Sequence, residues 1–80
     1  MEKAERRIIR LMYMLRLLDN GRDFTVAEIA KEFQISKRTI QRDLIVLEMA
    51  GYPILRSEEW RYSLSPDFRV YEMYYDGFEN

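Results

Sequence analysis

From Ala4 to Leu18, apolar residues recur at three- and four-residue steps: Ala4, Ile8, Leu11, Met12, Leu15 and Leu18. At about 3.6 residues per turn these positions share a helix face, so the spacing predicts an amphipathic first helix with them directed inward. Asn20-Gly21 supplies its stop, because both residues tolerate positive φ. Arg22, Asp23 and Phe24 then form a short connection. Thr25-Val26-Ala27-Glu28 is a capping-box arrangement, in which the Thr hydroxyl and the Glu carboxylate each satisfy a free backbone N–H of the other. It opens a second helix whose buried stripe is Val26, Ile29, Ala30 and Phe33, and which ends near Phe33. After Gln34-Ile35, Ser36 is placed as the N-cap of a third helix reaching Ala50, with Ile40, Leu44 and Leu47 turned inward. Gly51 is suited to the C′ position, and Pro53 prevents the helix from resuming.

Beyond Pro53 the period changes. Ile54-Leu55-Arg56-Ser57 and Trp60-Arg61-Tyr62-Ser63-Leu64 are short runs rich in β-branched and aromatic residues. Glu58-Glu59 between them fits a hairpin, but lacks the Gly or Asn favoured in a two-residue turn, which leaves a wider loop open. Ser65-Pro66 closes the second strand. In the aromatic, acidic stretch from Phe68 to Phe78, the placement of Phe68, Tyr71 and Tyr75 suits a helix, whereas Phe68 and Val70 suit a strand. The expected fold is α+β, with three helices and a two-stranded β-hairpin in one domain over residues 1–65. A short aromatic C-terminal extension, 66–80, follows as a dimerisation element or a flexible tail.

Eighty residues accommodate one small domain, and 48% hydrophobic with 34% charged residues describes a folded chain. The sequence has no cysteine and no histidine, which excludes disulfide staples, zinc fingers and the usual Cys/His or Ser/His nucleophilic pairs. The longest run without a charge is the seven residues Met49–Leu55, far short of the roughly 20 that a membrane span needs. Arg16 interrupts the apolar run after the basic N-terminus, so no signal peptide is expected. Glu58-Glu59, a paired-carboxylate candidate, reads as a solvated turn. The expectation is a cytoplasmic, nucleoid-associated binding module, not an enzyme, without cofactor, metal, membrane or evident small-molecule ligand.

The net charge of −1 is unevenly spread. Residues 1–61 carry 12 basic and 10 acidic side chains, whereas 62–80 carry Arg69 against Asp67, Glu72, Asp76 and Glu79. Lys3, Arg6, Arg7, Arg10 and Arg16 outnumber Glu2 and Glu5, and Lys37, Arg38 and Arg42 are answered only by Asp43. Ten of the 13 cations are arginine, the residue suited to bidentate phosphate or guanine contacts.

A short helix, a tight connection and a longer Ser-capped helix follow the order of a helix-turn-helix unit, and a hairpin directly after it takes the place of a wing. With Ile40, Leu44 and Leu47 inward, Lys37, Arg38, Gln41 and Arg42 project outward. Arg to guanine and Gln to adenine are pairings that major-groove reading uses. The free N–H groups at the helix start attract phosphate. Arg56 and Arg61, on the two wing strands, are placed to touch the neighbouring backbone or minor groove. Each feature also has a plainer reading. Ser36 caps the helix whether or not it touches phosphate, and Arg42 can pair with a helix-surface carboxylate. Asp43 reads as a salt bridge or brace, since a carboxylate facing phosphate is repelled. Trp60 reads as packing in the wing or core, and Arg6, Arg7 and Arg10 are either solvated or phosphate-bound.

The run Val26-Ala27-Glu28-Ile29-Ala30, then Ile35-Ser36-Lys37-Arg38-Thr39-Ile40-Gln41-Arg42-Asp43-Leu44, then Leu47-Glu48-Met49-Ala50-Gly51-Tyr52-Pro53-Ile54 resembles the N-terminal winged helix-turn-helix of WYL-domain and DeoR-type bacterial transcription regulators. The similarity covers about residues 4–64. It implies a sequence-specific regulator of double-stranded DNA, with Ser36, Arg38, Thr39 and Arg42 as the main contacts and Lys37 and Gln41 setting operator preference. Members of that family usually continue into a large effector-sensing domain, whereas here about 15 residues follow the wing, as in a stand-alone regulator or a domain of a longer chain. Without an evident activation surface, a repressor is the expected role. A winged-helix protein-interaction module that does not bind DNA is the alternative.

The aromatic residues point to a partner. Tyr13, Met14 and Leu17 fall largely off the inward stripe of the first helix, and Tyr71, Tyr74, Tyr75 and Phe78 have no obvious core to enter. A homodimer interface accounts for them and favours an inverted-repeat operator. A disordered tail is the competing reading.

Overall fold

A computed structural model describes residues 2–19 and 21–68. The chain runs through helix α1 (Lys3–Leu18), strand β1 (Phe24–Thr25), helices α2 (Val26–Phe33) and α3 (Lys37–Met49), and strands β2 (Ile54–Arg56) and β3 (Arg61–Leu64). The strands form one antiparallel sheet in the order β1-β3-β2, with Phe24 opposite Tyr62 and Ile54 opposite Leu64. The architecture is the α+β winged helix-turn-helix that the pattern predicts. Tyr71, Tyr74, Tyr75 and nearly all of the 66–80 extension, expected to dimerise or to form a tail, lie outside the described residues.

Local chemistry sets the helix ends. Thr25 Oγ1 accepts the Glu28 N–H at 3.1 Å while Glu28 Oε1 accepts the Thr25 N–H at 2.8 Å, a closed capping box. Ser36 Oγ accepts the Thr39 N–H at 3.2 Å and starts α3. At the far end of α3 the Gly51 N–H reaches the Glu48 carbonyl at 2.9 Å and the Tyr52 N–H reaches that of Leu47 at 3.1 Å. This closure needs a left-handed residue, which Gly51 supplies at φ 99°. The same closure ends α2, with the Gln34 N–H on the Lys31 carbonyl and the Ile35 N–H on that of Ala30. There the left-handed residue is Gln34, at φ 55°.

The core consists of Met14, Leu15, Leu18, Ile29, Ala30, Ile40, Leu44, Leu47 and Leu64, with Leu11, Leu17, Phe24, Val26, Phe33, Tyr62 and others packed against it. Helices α2 and α3 bury the expected stripes. In α1 only the second half of the expected stripe is buried, with Leu15 and Leu18 in the core and Leu11 packed against it. Ala4, Ile8 and Met12 are exposed, and the face is centred on Met14, which has no exposed surface. Met14, expected at a dimer interface, is therefore a core residue, and Leu17 packs against the same core. The physical reason lies in what precedes Met14 on its own face. At i−4, i−7 and i−11 stand Arg10, Arg7 and Lys3, so the inward stripe turns cationic halfway along the helix. An apolar pattern cannot show a face whose packing passes to a charged residue, as it does at the part-buried Arg10.

Two smaller differences concern the sheet. The connection expected at Arg22, Asp23 and Phe24 contains β1, so the wing hairpin belongs to a three-stranded sheet. Two residues are too few to display alternation, and Thr25 also serves as the α2 cap. The hairpin turn takes the wider form, Glu58-Glu59-Trp60: the Trp60 N–H bonds the Ser57 carbonyl at 3.0 Å and the Ser57 N–H bonds that of Arg61 at 2.9 Å. Trp60 itself takes the left-handed conformation, φ 61°, that such a three-residue loop requires of its last member.

Candidate nucleic-acid interface

Helix α3 divides cleanly between buried and exposed positions. Ile40, Asp43, Leu44 and Leu47 are buried, while Lys37, Arg38, Gln41 and Arg42 are exposed. Among the described residues, Lys37, Arg38 and Arg42 form no ion pair, which leaves the plainer reading of Arg42 without a carboxylate partner. The first turn of α3 contains no acidic residue. Its Lys37 and Arg38 N–H groups have no intrahelical acceptor, as in any helix start, and face outward with the positive end of the helix dipole. Ser36 and Thr39 are more committed: the Ser36 hydroxyl donates to Thr39 Oγ1 at 2.9 Å while accepting the Thr39 N–H. Thr39 is half-buried.

Ile45 is a residue that the spacing argument passed over. It is exposed on the same outward stripe as Arg38 and Gln41, seven and four residues earlier. The available signal was its absence from the Ile40, Leu44 and Leu47 stripe. An exposed isoleucine among cations offers an apolar contact beside the polar ones.

The two wing arginines have different surroundings. Arg56 lies over the Trp60 ring, its guanidinium carbon 4.2 Å from the ring centroid, and both side chains are exposed. Trp60 thus packs within the wing. Arg61 faces the helix-turn-helix: its Nε donates to Asp23 Oδ1 at 2.8 Å, and its Nη2 donates to the Asp23 carbonyl at 3.1 Å and lies 3.0 Å from Glu28 Oε1. It ties β3 to β1 and to the start of α2.

This knot has a pH signature. The Thr25 N–H, opposed by desolvation and aided by the Arg61 charge, holds the Glu28 carboxyl below its usual pKa. A carboxyl whose pKa is lower folded than unfolded stabilises the fold above the unfolded value, and that contribution is lost as pH falls through the folded one. The wild-type melting temperature should therefore drop more steeply below about pH 4.5 than that of Glu28→Gln, which keeps the cap but cannot titrate. Parallel melting curves, followed by circular dichroism, would assign the acid loss to other carboxylates.

Between α1 and α3 lies a cleft of about 620 Å³ lined by Lys3, Ala4, Arg7, Arg10, Thr39, Arg42 and Asp43. Asp43 sits at its base with 1% of its surface exposed. Arg10 grips both carboxylate oxygens, Nε to Oδ2 at 2.6 Å and Nη2 to Oδ1 at 3.2 Å, and Arg7 Nε stands 3.7 Å from Oδ1. Asp43 is the brace that charge logic required.

Tyr13 meets the Phe33 ring edge-on at a 5.8 Å centroid separation and remains half exposed, as do Ile8, Ile9 and Met12. Among the described residues, no helix is long and apolar enough to cross a membrane.

A family model described as an HTH domain matches residues 10–57. Over 49 residues, 61% of this chain, the sequence is 41% identical to an uncharacterized HTH-type transcriptional regulator, YobV, of Bacillus subtilis (strain 168). The match spans 16% of that relative's length.

Proposed function

This chain belongs to the HTH domain family, and from that premise we propose that it is a sequence-specific double-stranded DNA-binding transcriptional regulator that reads the major groove with α3. The observation that carries the reading is the exposed row of Lys37, Arg38, Gln41 and Arg42, with no carboxylate pairing its cations among the described residues. Arg38 and Arg42, one turn apart, address guanine edges, Gln41 an adenine, and Ile45 a thymine methyl. Lys37 and the first-turn N–H groups, with Ser36 and Thr39, lie beside the phosphates. Arg56 reaches the flanking backbone from the wing, and Arg61 holds that wing in place. The likeness of Ser36–Leu44 to WYL-domain and DeoR-type regulators, and the name of the relative, support this reading. The role is that of a repressor in the cytoplasm, without catalysis.

The test is selection of bound duplexes from a randomised pool, followed by sequencing. Enrichment of a motif supports a sequence reader. Binding without enrichment would leave a non-specific architectural protein.

The operator is expected to be an inverted repeat read by a homodimer. Ile8, Ile9, Met12 and Tyr13 form a half-exposed apolar side of α1, turned away from the Met14 face. A second copy covering that side explains its composition. Sedimentation at micromolar concentration should show a dimer for the wild type and a monomer for Ile8→Glu/Met12→Glu. A monomer in both would remove α1 as the interface. The same apolar side favours the second reading, a protein-interaction module. In that case Arg38 and Arg42 would be dispensable for partner binding.

A further inference from the structure

We propose that the cleft between α1 and α3 is a phosphate seat, in which Lys3 and Arg7 hold a phosphodiester of the DNA backbone beside the groove that α3 enters. The inference rests on the DNA reading above and deepens it, adding to the interface a helix outside the helix-turn-helix pair. Four cations, Lys3, Arg7, Arg10 and Arg42, line the cleft against one carboxylate, Asp43. Asp43 is almost wholly spent on Arg10, which closes on both of its oxygens and is only 16% exposed. Arg7 is different. Its side chain is 48% exposed and only its Nε approaches Asp43, at 3.7 Å, beyond hydrogen-bond distance. Lys3 and Arg42 have no ion-pair partner among the described residues.

The wall of the cleft is also continuous with the reading surface, because Arg42 and Thr39 belong to α3 and to the cleft alike. A backbone running along the edge of the groove that receives Arg38 and Gln41 therefore passes the mouth of the cleft. Asp43 gives the arrangement its stiffness. By fixing Arg10 it holds the cationic half of α1 against α3, so that Arg7 and Lys3 are presented and not left to swing with a free helix end. A phosphodiester entering the cleft meets the α1 cations beside the α3 wall.

The test is the salt dependence of affinity, measured by fluorescence anisotropy on one selected duplex and one of random sequence. Lys3→Gln/Arg7→Gln is compared with the charge-matched control Arg16→Gln/Arg22→Gln, both of whose side chains lie outside the cleft. Arg10 and Asp43 are left intact in both variants, and thermal melting checks that each folds. The expected result is a log K against log salt slope about 0.9 shallower for Lys3→Gln/Arg7→Gln, the loss of one phosphate contact, with both duplexes weakened alike. The control should keep the wild-type slope. A wild type that binds DNA, with equal slopes in the two variants, overturns the phosphate seat and leaves the DNA reading standing. A wild type that binds neither duplex overturns both. Titration with inorganic phosphate forms the remaining arm: calorimetric binding lost in Lys3→Gln/Arg7→Gln, without a change in DNA slope, would assign the cleft to a small free anion and overturn the backbone as its ligand.

Discussion

Asp43→Ala is expected to cost about 3–5 kcal/mol of folding stability, the effect of removing one member of a buried ion pair. The magnitude follows from what is left behind. Arg10 reaches Asp43 with two nitrogens and is largely covered, so the truncation strands a guanidinium that water reaches poorly. A domain of this size has about 4–12 kcal/mol in total, and the variant should sit near the limit of folding. In urea its midpoint should fall by roughly 2 M or more. The double change Asp43→Leu/Arg10→Met should recover most of that loss, because a well-packed apolar pair dispenses with both desolvation penalties. A single variant that loses less than about 1 kcal/mol would mean that the pair behaves as a surface salt bridge. The brace reading of Asp43 would then be wrong.

Arg38→Ala/Arg42→Ala should have the opposite profile, leaving the fold unmoved while operator affinity falls roughly thirtyfold or more, given about 1–3 kcal/mol for each base-reading arginine. Both side chains are exposed and pair with no carboxylate among the described residues, so thermal melting should superimpose on the wild type. Specificity is the sharper readout. If the arginines read bases, affinity for the selected motif should collapse toward that for random duplex, whereas phosphate-only contacts would lower both equally. Anisotropy titrations on the two duplexes separate these outcomes. Unchanged affinity on both would place the interface elsewhere, and the apolar side of α1 would become the surface to investigate.

The helices were legible in the sequence to the extent that their ends are written in local chemistry. Thr25 with Glu28, Ser36 with Thr39, and Gly51 before Pro53 each state a boundary within a few residues, and the structure places the boundaries there. The stripes of α2 and α3 were legible because their inward positions are apolar. Misreading α1 has a single origin: ahead of Met14 its face carries Arg10, Arg7 and Lys3, and Arg10 is held by a carboxylate contributed 33 residues beyond it. No periodicity within α1 can report Asp43. The strand Phe24–Thr25 was illegible for a related reason, since it is a strand only because Arg61 and Tyr62 return to pair with it. Of the candidate interface, the exposure of Lys37, Arg38, Gln41 and Arg42 followed from the α3 stripe alone. The divergence of Arg56 and Arg61 did not, because it depends on Trp60 in one case and on Asp23 with Glu28 in the other.

The left-handed residue at the hairpin tip has an optical consequence. It is the only tryptophan in the chain, 60% exposed, with the Arg56 guanidinium on its face. An anion that draws Arg56 off the indole alters the emission of the unlabelled protein. Because α3 contains no aromatic residue, that emission follows the wing and not the reading helix. The order in which the two arrive on a duplex thus becomes a question for stopped-flow fluorescence with no dye attached.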